Sequence, residues 1–285
     1  MKSPAPILVS HLFRELDGHL LDLLRSLAPE DWNRPTVCSA WSVKDISSHL
    51  LDSALRRLSI QRDGYIPPHA PEGFDSYTEL VAYLNRLNAE WTAATARLSP
   101  TVLIGLLEKA TAELADLFES TDPLARACFS VAWAGESESL MGFDLAREFT
   151  ERWHHQRQIA DAVDRPTPID ERRFYYPVLD TFMRALPHTY RDVKAPAGTF
   201  VSIRVVGDSG GDWFLRREEN AWCLIAAVDE NQNPDSVVTI DQAIAWKLLT
   251  KRTDRATARA RFPTLRIDGE PAYGEPVLEM VSIMA

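Results

Sequence analysis

The chain has 285 residues, with 31 Lys and Arg against 41 Asp and Glu, a formal charge of −10. At about 150 residues per domain this length predicts two domains, with enough sequence to bury a core without staples. The acidic balance argues against nucleic-acid binding, which needs cations to displace counterions from phosphates, and against docking on anionic lipid.

In chain order, the first two-thirds read as helices. Between Ile7 and Leu27, Leu8, Leu12, Leu16, Leu20, Leu23, Leu24 and Leu27 recur at three and four and form one apolar stripe. Pro29 stops that helix. Ser42-Val43-Lys44-Asp45 resembles a capping box, with Asp in place of the usual Glu. The helix it opens carries Ile46, Leu50, Leu51, Leu55 and Leu58 and ends before Gly64. Residues 63–75 are a Pro/Gly loop. Helices follow over 76–98 and 100–120, with Pro100 suited to a first turn. Two more are expected over 139–163 and 169–186. A short linker, Lys194 to Gly198, changes the character. Strands are expected at Thr199–Val206, Asp212–Arg217, Ala221–Ala226, Ser236–Ile240 and Arg266–Asp268. Helices are expected at Asp241–Thr250 and Gly274–Met284. The division therefore falls at 1–195 and 196–285, the second part being a small α+β unit.

Cys38, Cys128 and Cys223 are far apart and none forms a CxxC, so no thiol redox pair or cysteine zinc site is encoded locally. Their sparse, odd count fits a reducing compartment. The first residues show no sustained apolar run, and no stretch approaches about 18 apolar residues. The expectation is a cytoplasmic protein without a membrane span. GxSxG, Walker and GxGxxG patterns are absent.

The informative segment is Glu151-Arg152-Trp153-His154-His155-Gln156. On a helix, Glu151 and His155 share a face and can ligate one metal, as paired carboxylate and imidazole ligands do in helix bundles. The same spacing makes an ordinary surface pair. His154 points about 100° away from His155, so both cannot reach one ion comfortably. His49 lies in the apolar run of its own helix. It reads either as a core histidine bonded to a backbone carbonyl or as a third ligand from a neighbouring helix, and spacing alone does not decide.

Leu27-Ala28-Pro29-Glu30-Asp31-Trp32, then Cys38-Ser39-Ala40-Trp41-Ser42-Val43-Lys44-Asp45-Ile46, then His49-Leu50 resembles the N-terminal domain of the mycothiol-dependent maleylpyruvate isomerase family. Glu151-x-x-x-His155 is similar to that family's second metal motif. The resemblance implies a DinB-like up-and-down four-helix bundle with extra helices. The segment from Val238 to Thr250 resembles the family's small C-terminal domain, similar to sterol-carrier-like α+β folds. It further implies a divalent metal, zinc first and nickel or iron as alternatives, held by His49, Glu151 and His155. The motif match and the i,i+4 placement favour His155 over His154.

In the resembled isomerase a cofactor thiol such as mycothiol adds to the substrate's double bond, and rotation and elimination follow. Three protein ligands leave a coordination position open for such a thiol. The implied activity is a metal- and thiol-dependent isomerase or S-transferase acting on a small molecule, as a monomer or homodimer. Alternatives are a non-catalytic metal-stabilised binding or regulatory module and a metal-dependent hydrolase. Arg56 and Arg62, near a helix end, are candidates for an anion-binding rim toward the cofactor. Arg252 falls where the family's C-terminal domain can present an arginine to the site. Asp52 is expected to pair with Arg56, and Glu148 with Arg152. The tryptophans Trp32, Trp41, Trp91, Trp133, Trp153 and Trp246 read as core or interface residues, with a pocket-lining role open to Trp153.

Overall fold

The computed structural model describes residues 4–38, 40–68, 71, 73–228, 232–251 and 253–283. Its helices are α1 (Phe13–Arg25), α2 (Val43–Arg57), α3 (Tyr77–Thr95), α4 (Pro100–Glu119), α5 (Met141–Ala162), α6 (Arg172–Met183), α7 (Leu186–Thr189), α8 (Gln242–Leu249), α9 (Arg255–Arg261) and α10 (Pro271–Glu279). Its strands are β1 (Phe200–Val206), β2 (Gly211–Arg217), β3 (Trp222–Ile225), β4 (Ser236–Asp241) and β5 (Arg266–Gly269). The architecture is α+β, helical first and then a five-stranded sheet.

Contacts divide the chain into two compact units. The helical unit comprises Leu8–Phe129 and Leu140–Ile169. In it α1 packs on α4 and α5, and α2 packs on the same two helices, which closes a four-helix ring. The extra helix α3 lies against α2. Leucines set this arrangement. Leu16, Leu20 and Leu24 of α1 and Leu103, Leu107 and Leu114 of α4 are almost wholly buried, as the stripes at three and four require. Phe13 makes ring contacts with Phe118 of α4 and Phe149 of α5.

The sheet unit comprises Met1–Ile7, Ser130–Ser139 and Asp170–Ala285. Its strand order is β3-β2-β1-β4-β5. β1 and β4 pair in parallel, and every other pair is antiparallel. The parallel pair is the most buried, with Val201, Ile203, Val238 and Ile240 closed to solvent, as expected of central strands.

Residues 170–195, expected with the helical domain, group instead with the sheet. Long polar side chains tie them there. Tyr175 donates its hydroxyl to the Gln242 carbonyl, and the Trp222 indole N–H donates to the Val193 carbonyl at 2.8 Å. The helix expected over 169–186 is shorter and is followed by the separate turn α7. The last helix starts at Pro271 and not at Gly274, because the Glu270 side chain caps it by accepting from Ala272 N–H. Helix α9 carries no apolar stripe, only Ala258 being buried, so periodicity gives no sign of it.

Candidate metal centre

Helix α2 begins where the capping box places it. Ser42 Oγ accepts from Asp45 N–H at 3.3 Å, and Asp45 Oδ2 accepts from Ser42 N–H at 2.9 Å. With the first turn fixed, His49 falls between the buried Ile46 and Leu50. On α5, Glu151 and His155 lie one turn apart. Packing of α2 against α5 brings the three together. Glu151 Oε1 is 3.1 Å from His49 Nε2 and 3.0 Å from His155 Nε2. One ligand atom from each residue lies within 4.8 Å of the others. Both histidines are buried, and the Glu151 side chain is 27% exposed, so the cluster is open on its carboxylate side. The Trp41 ring lies against both imidazoles, with its centroid 4.8 Å from His49 and 5.7 Å from His155.

Burial depresses the pKa of His49 below the ordinary imidazole value, and the opposing pull of Glu151 does not restore it. Its ring is therefore neutral at pH 7. Burial alone would raise Glu151. The two histidines outweigh that, His155 most, and hold the carboxyl well below its usual range. Two imidazole nitrogens and one carboxylate oxygen form the donor set of a catalytic zinc site, and the same set suits iron(II). His49 Nδ1 is buried without a hydrogen-bond partner, so among the described residues nothing else fixes that ring than the cluster itself and its packing.

Next along α5, a buried charge network anchors the helix. Arg57 donates to Asp144 Oδ2 at 2.7 Å, and Arg147 donates to Asp144 Oδ1 at 2.8 Å. Arg152 donates to Asp17 at 2.8 Å and lies 3.6 Å from Glu148, which also accepts from Ser53 Oγ at 3.0 Å. Burial would raise the Glu148 pKa, but Arg57, Arg147 and Arg152 outweigh it and lower it. The expected Glu148–Arg152 pair is present, with Asp17 as the closer partner of Arg152.

His154 is not part of the triangle. It faces the amide of the fully buried Gln158, whose Nε2 is 2.9 Å from His154 Nε2 and whose Oε1 is 2.8 Å from His155 Nδ1. Asp52 pairs with Arg56 at 2.9 Å, as expected. Arg62 pairs with Asp63 at 2.7 Å and with Glu113 at 2.6 Å, so both candidate rim arginines carry carboxylate partners. Arg252 lies outside the described residues. Trp153 is core: it is closed to solvent and its indole N–H donates to the Ile169 carbonyl at 2.7 Å. Sequence reasoning passed over Trp41 and Gln158 as neighbours of the cluster. The one available signal was a polar Gln on the otherwise buried face of α5, three residues after His155. Between α2 and α3, a cleft of about 290 Å³ is lined by Asp52, Arg56, Leu87, Glu90, Trp91 and Ala94.

Residues 13–160, just over half of the chain, match the family model described as the Mycothiol maleylpyruvate isomerase N-terminal domain. Among solved structures, the chain is similar to a histidine-to-alanine mutant of the mycothiol-dependent maleylpyruvate isomerase. That similarity has 14% identity and a TM-score of 0.51, and covers 86% of this chain and 88% of the other. A second crystal structure of the mycothiol-dependent maleylpyruvate isomerase is similar at 13% identity and a TM-score of 0.48, with the same coverage. At such identities the likeness is one of fold. No curated protein matches the sequence.

Proposed function

The chain belongs to the family of the mycothiol maleylpyruvate isomerase N-terminal domain, and from that premise we propose that its helical unit binds one divalent metal ion through His49, Glu151 and His155, in the service of a thiol-dependent isomerase or S-transferase. The observation that carries this reading is the convergence of three donor atoms within 4.8 Å on two packed helices. Zinc is the first choice for this donor set, with nickel or iron(II) as alternatives. Bound there, a divalent cation would lower the pKa of a thiol at the remaining coordination position and hold it as the thiolate nucleophile.

The chain's own residues prepare that chemistry. His49 is kept neutral by burial, so a metal displaces only an N–H proton and meets no imidazolium charge. Glu151 is kept ionised and supplies one negative charge, so a divalent ion with these ligands retains net positive charge toward an anionic thiolate. Trp41 shields both imidazoles on one side. The thiol comes from a small cofactor, mycothiol by family, since no CxxC is encoded. Cys38, Cys128 and Cys223 are free. The substrate is a small molecule carrying an activated double bond or a leaving group.

Metal analysis of the purified protein tests the reading. The expected result is about one equivalent of divalent metal, lost in His49→Ala. Wild-type metal content retained in that variant would overturn the assignment. Thiol-dependent turnover of a maleylpyruvate-type substrate then separates an isomerase from an S-transferase.

A further inference from the structure

Gln158 is closed to solvent, and so nearly are His154 and His155 on the same helix. Their side chains form a chain of hydrogen bonds: His154 Nε2 to Gln158 Nε2 at 2.9 Å, and Gln158 Oε1 to His155 Nδ1 at 2.8 Å. An amide nitrogen only donates and an amide oxygen only accepts. The direction of the chain follows. Gln158 donates to His154, and its oxygen must then receive the Nδ1 proton of His155. We infer that Gln158 is a positioning residue that accepts the Nδ1–H of His155 and so fixes its ring with Nε2 turned toward Glu151 and His49.

The consequence is visible in the cluster. With Nδ1–H engaged by Gln158, Nε2 is the nitrogen of His155 left to face the Glu151 carboxylate, at 3.0 Å. His49 Nε2 meets the same oxygen at 3.1 Å, so two imidazole nitrogens and one oxygen converge where a cation would sit. A ligand histidine whose second nitrogen is bonded to a fixed partner is the usual way a protein orients a metal's ligands. The partner here is a neutral amide, which orients the ring without adding a second negative charge beside Glu151. The functional meaning of this device rests on the metal reading above, whereas the Nδ1–H bond to Gln158 is a property of the chain itself.

The test uses the full-length protein, with Gln158→Leu and Gln158→Glu variants. Zinc affinity is read by competition with a chromophoric chelator, and the protonation of His155 Nδ1 by NMR of isotope-labelled histidine in the metal-free state at pH 8. The wild type is expected to show Nδ1 carrying a proton. Gln158→Leu should lose about 10–100-fold in zinc affinity and the fixed proton at Nδ1, while Gln158→Glu, which keeps an acceptor at Nδ1, should stay within about threefold of wild type. A residue that merely fills space predicts the opposite order, because Leu suits a closed apolar site and Glu buries a charge there. His155 Nδ1 found without a proton in the wild type, or a Leu variant with unchanged Nδ1 protonation and affinity, overturns the proposal. A wild type that binds no zinc overturns the metal reading, and the state of Nδ1 still decides the role of Gln158.

Discussion

Replacing Arg152 by Met strands a buried carboxylate, and the size of the effect can be worked out. Arg152 and Asp17 are 2.8 Å apart, with side chains 1% and 5% exposed. Burial raises the Asp17 pKa above its ordinary value, with Arg152 opposing. Met keeps the apolar stem but removes the charge. Breaking a buried pair on one side costs about 3–5 kcal/mol. An upper bound comes from protonation, because Asp17 escapes the penalty by taking up a proton. For a carboxyl of unfolded pKa about 3.9 that escape costs about 4 kcal/mol at pH 7 and about 1.5 kcal/mol at pH 5. The sign follows from linkage. The stranded carboxyl has a folded pKa above its unfolded value, so the penalty is absent below about pH 4 and grows as pH rises. Thermal unfolding in EDTA, which keeps metal linkage out of the comparison, should show the helical unit's midpoint falling by about 8–16 °C at pH 7 and by much less at pH 5. Adding Asp17→Asn should recover most of the loss. A deficit below about 1 kcal/mol at pH 7, or one that does not shrink with acid, would refute the reasoning.

Two further outcomes are expected. Trp41 stacks near both imidazoles, so zinc should change the tryptophan emission of the wild type, and Trp41→Phe should lose most of that change while binding zinc within about threefold; an unchanged signal in the variant would remove Trp41 from the site. In the sheet unit, Gly207 has φ +125° and an added Cβ would lie 2.3 Å from Gln242 Oε1, the acceptor of Ser209 N–H at 2.8 Å. Gly207→Ala should therefore cost about 1–3 kcal/mol of stability, read by chemical denaturation, and leave zinc affinity alone.

The elements that sequence predicts well are those with a local signal, whether an apolar stripe, a cap or a β-branched run. The stripe of α1 and the cap at Ser42 put two bundle helices in place, and β-branched runs marked β1 and β4. The helix expected from Ile7 begins later, as a 3-10 turn at Ser10–Leu12 leading into α1, and α2 ends in a π turn at Leu58–Arg62. Helix α9 was illegible because its face is arginine and alanine, although Asp254 caps it by accepting from Thr257 N–H at 2.9 Å. The grouping of residues 170–195 with the sheet depends on long-range bonds such as Tyr190 to the Tyr273 carbonyl, which no local pattern announces. At the cluster, Glu151 and His155 follow from helical spacing, but bringing His49 to them takes helix packing, and the sequence supplied that only through family likeness. The partners of Arg62 are equally non-local in the case of Glu113, 51 residues away. Gln158 escaped notice because a tautomer is fixed by which atom faces which, and spacing carries no information on that.

The most direct test of the central account is zinc-edge X-ray absorption on the zinc-loaded protein, before and after addition of a low-molecular-weight thiol. The account predicts a light-atom shell of nitrogen and oxygen ligands first, then a sulfur scatterer at about 2.3 Å once the thiol is present, with both spectra lost in His155→Ala. A protein that holds no zinc, or one whose zinc is closed by four protein ligands and takes up no sulfur, would contradict it.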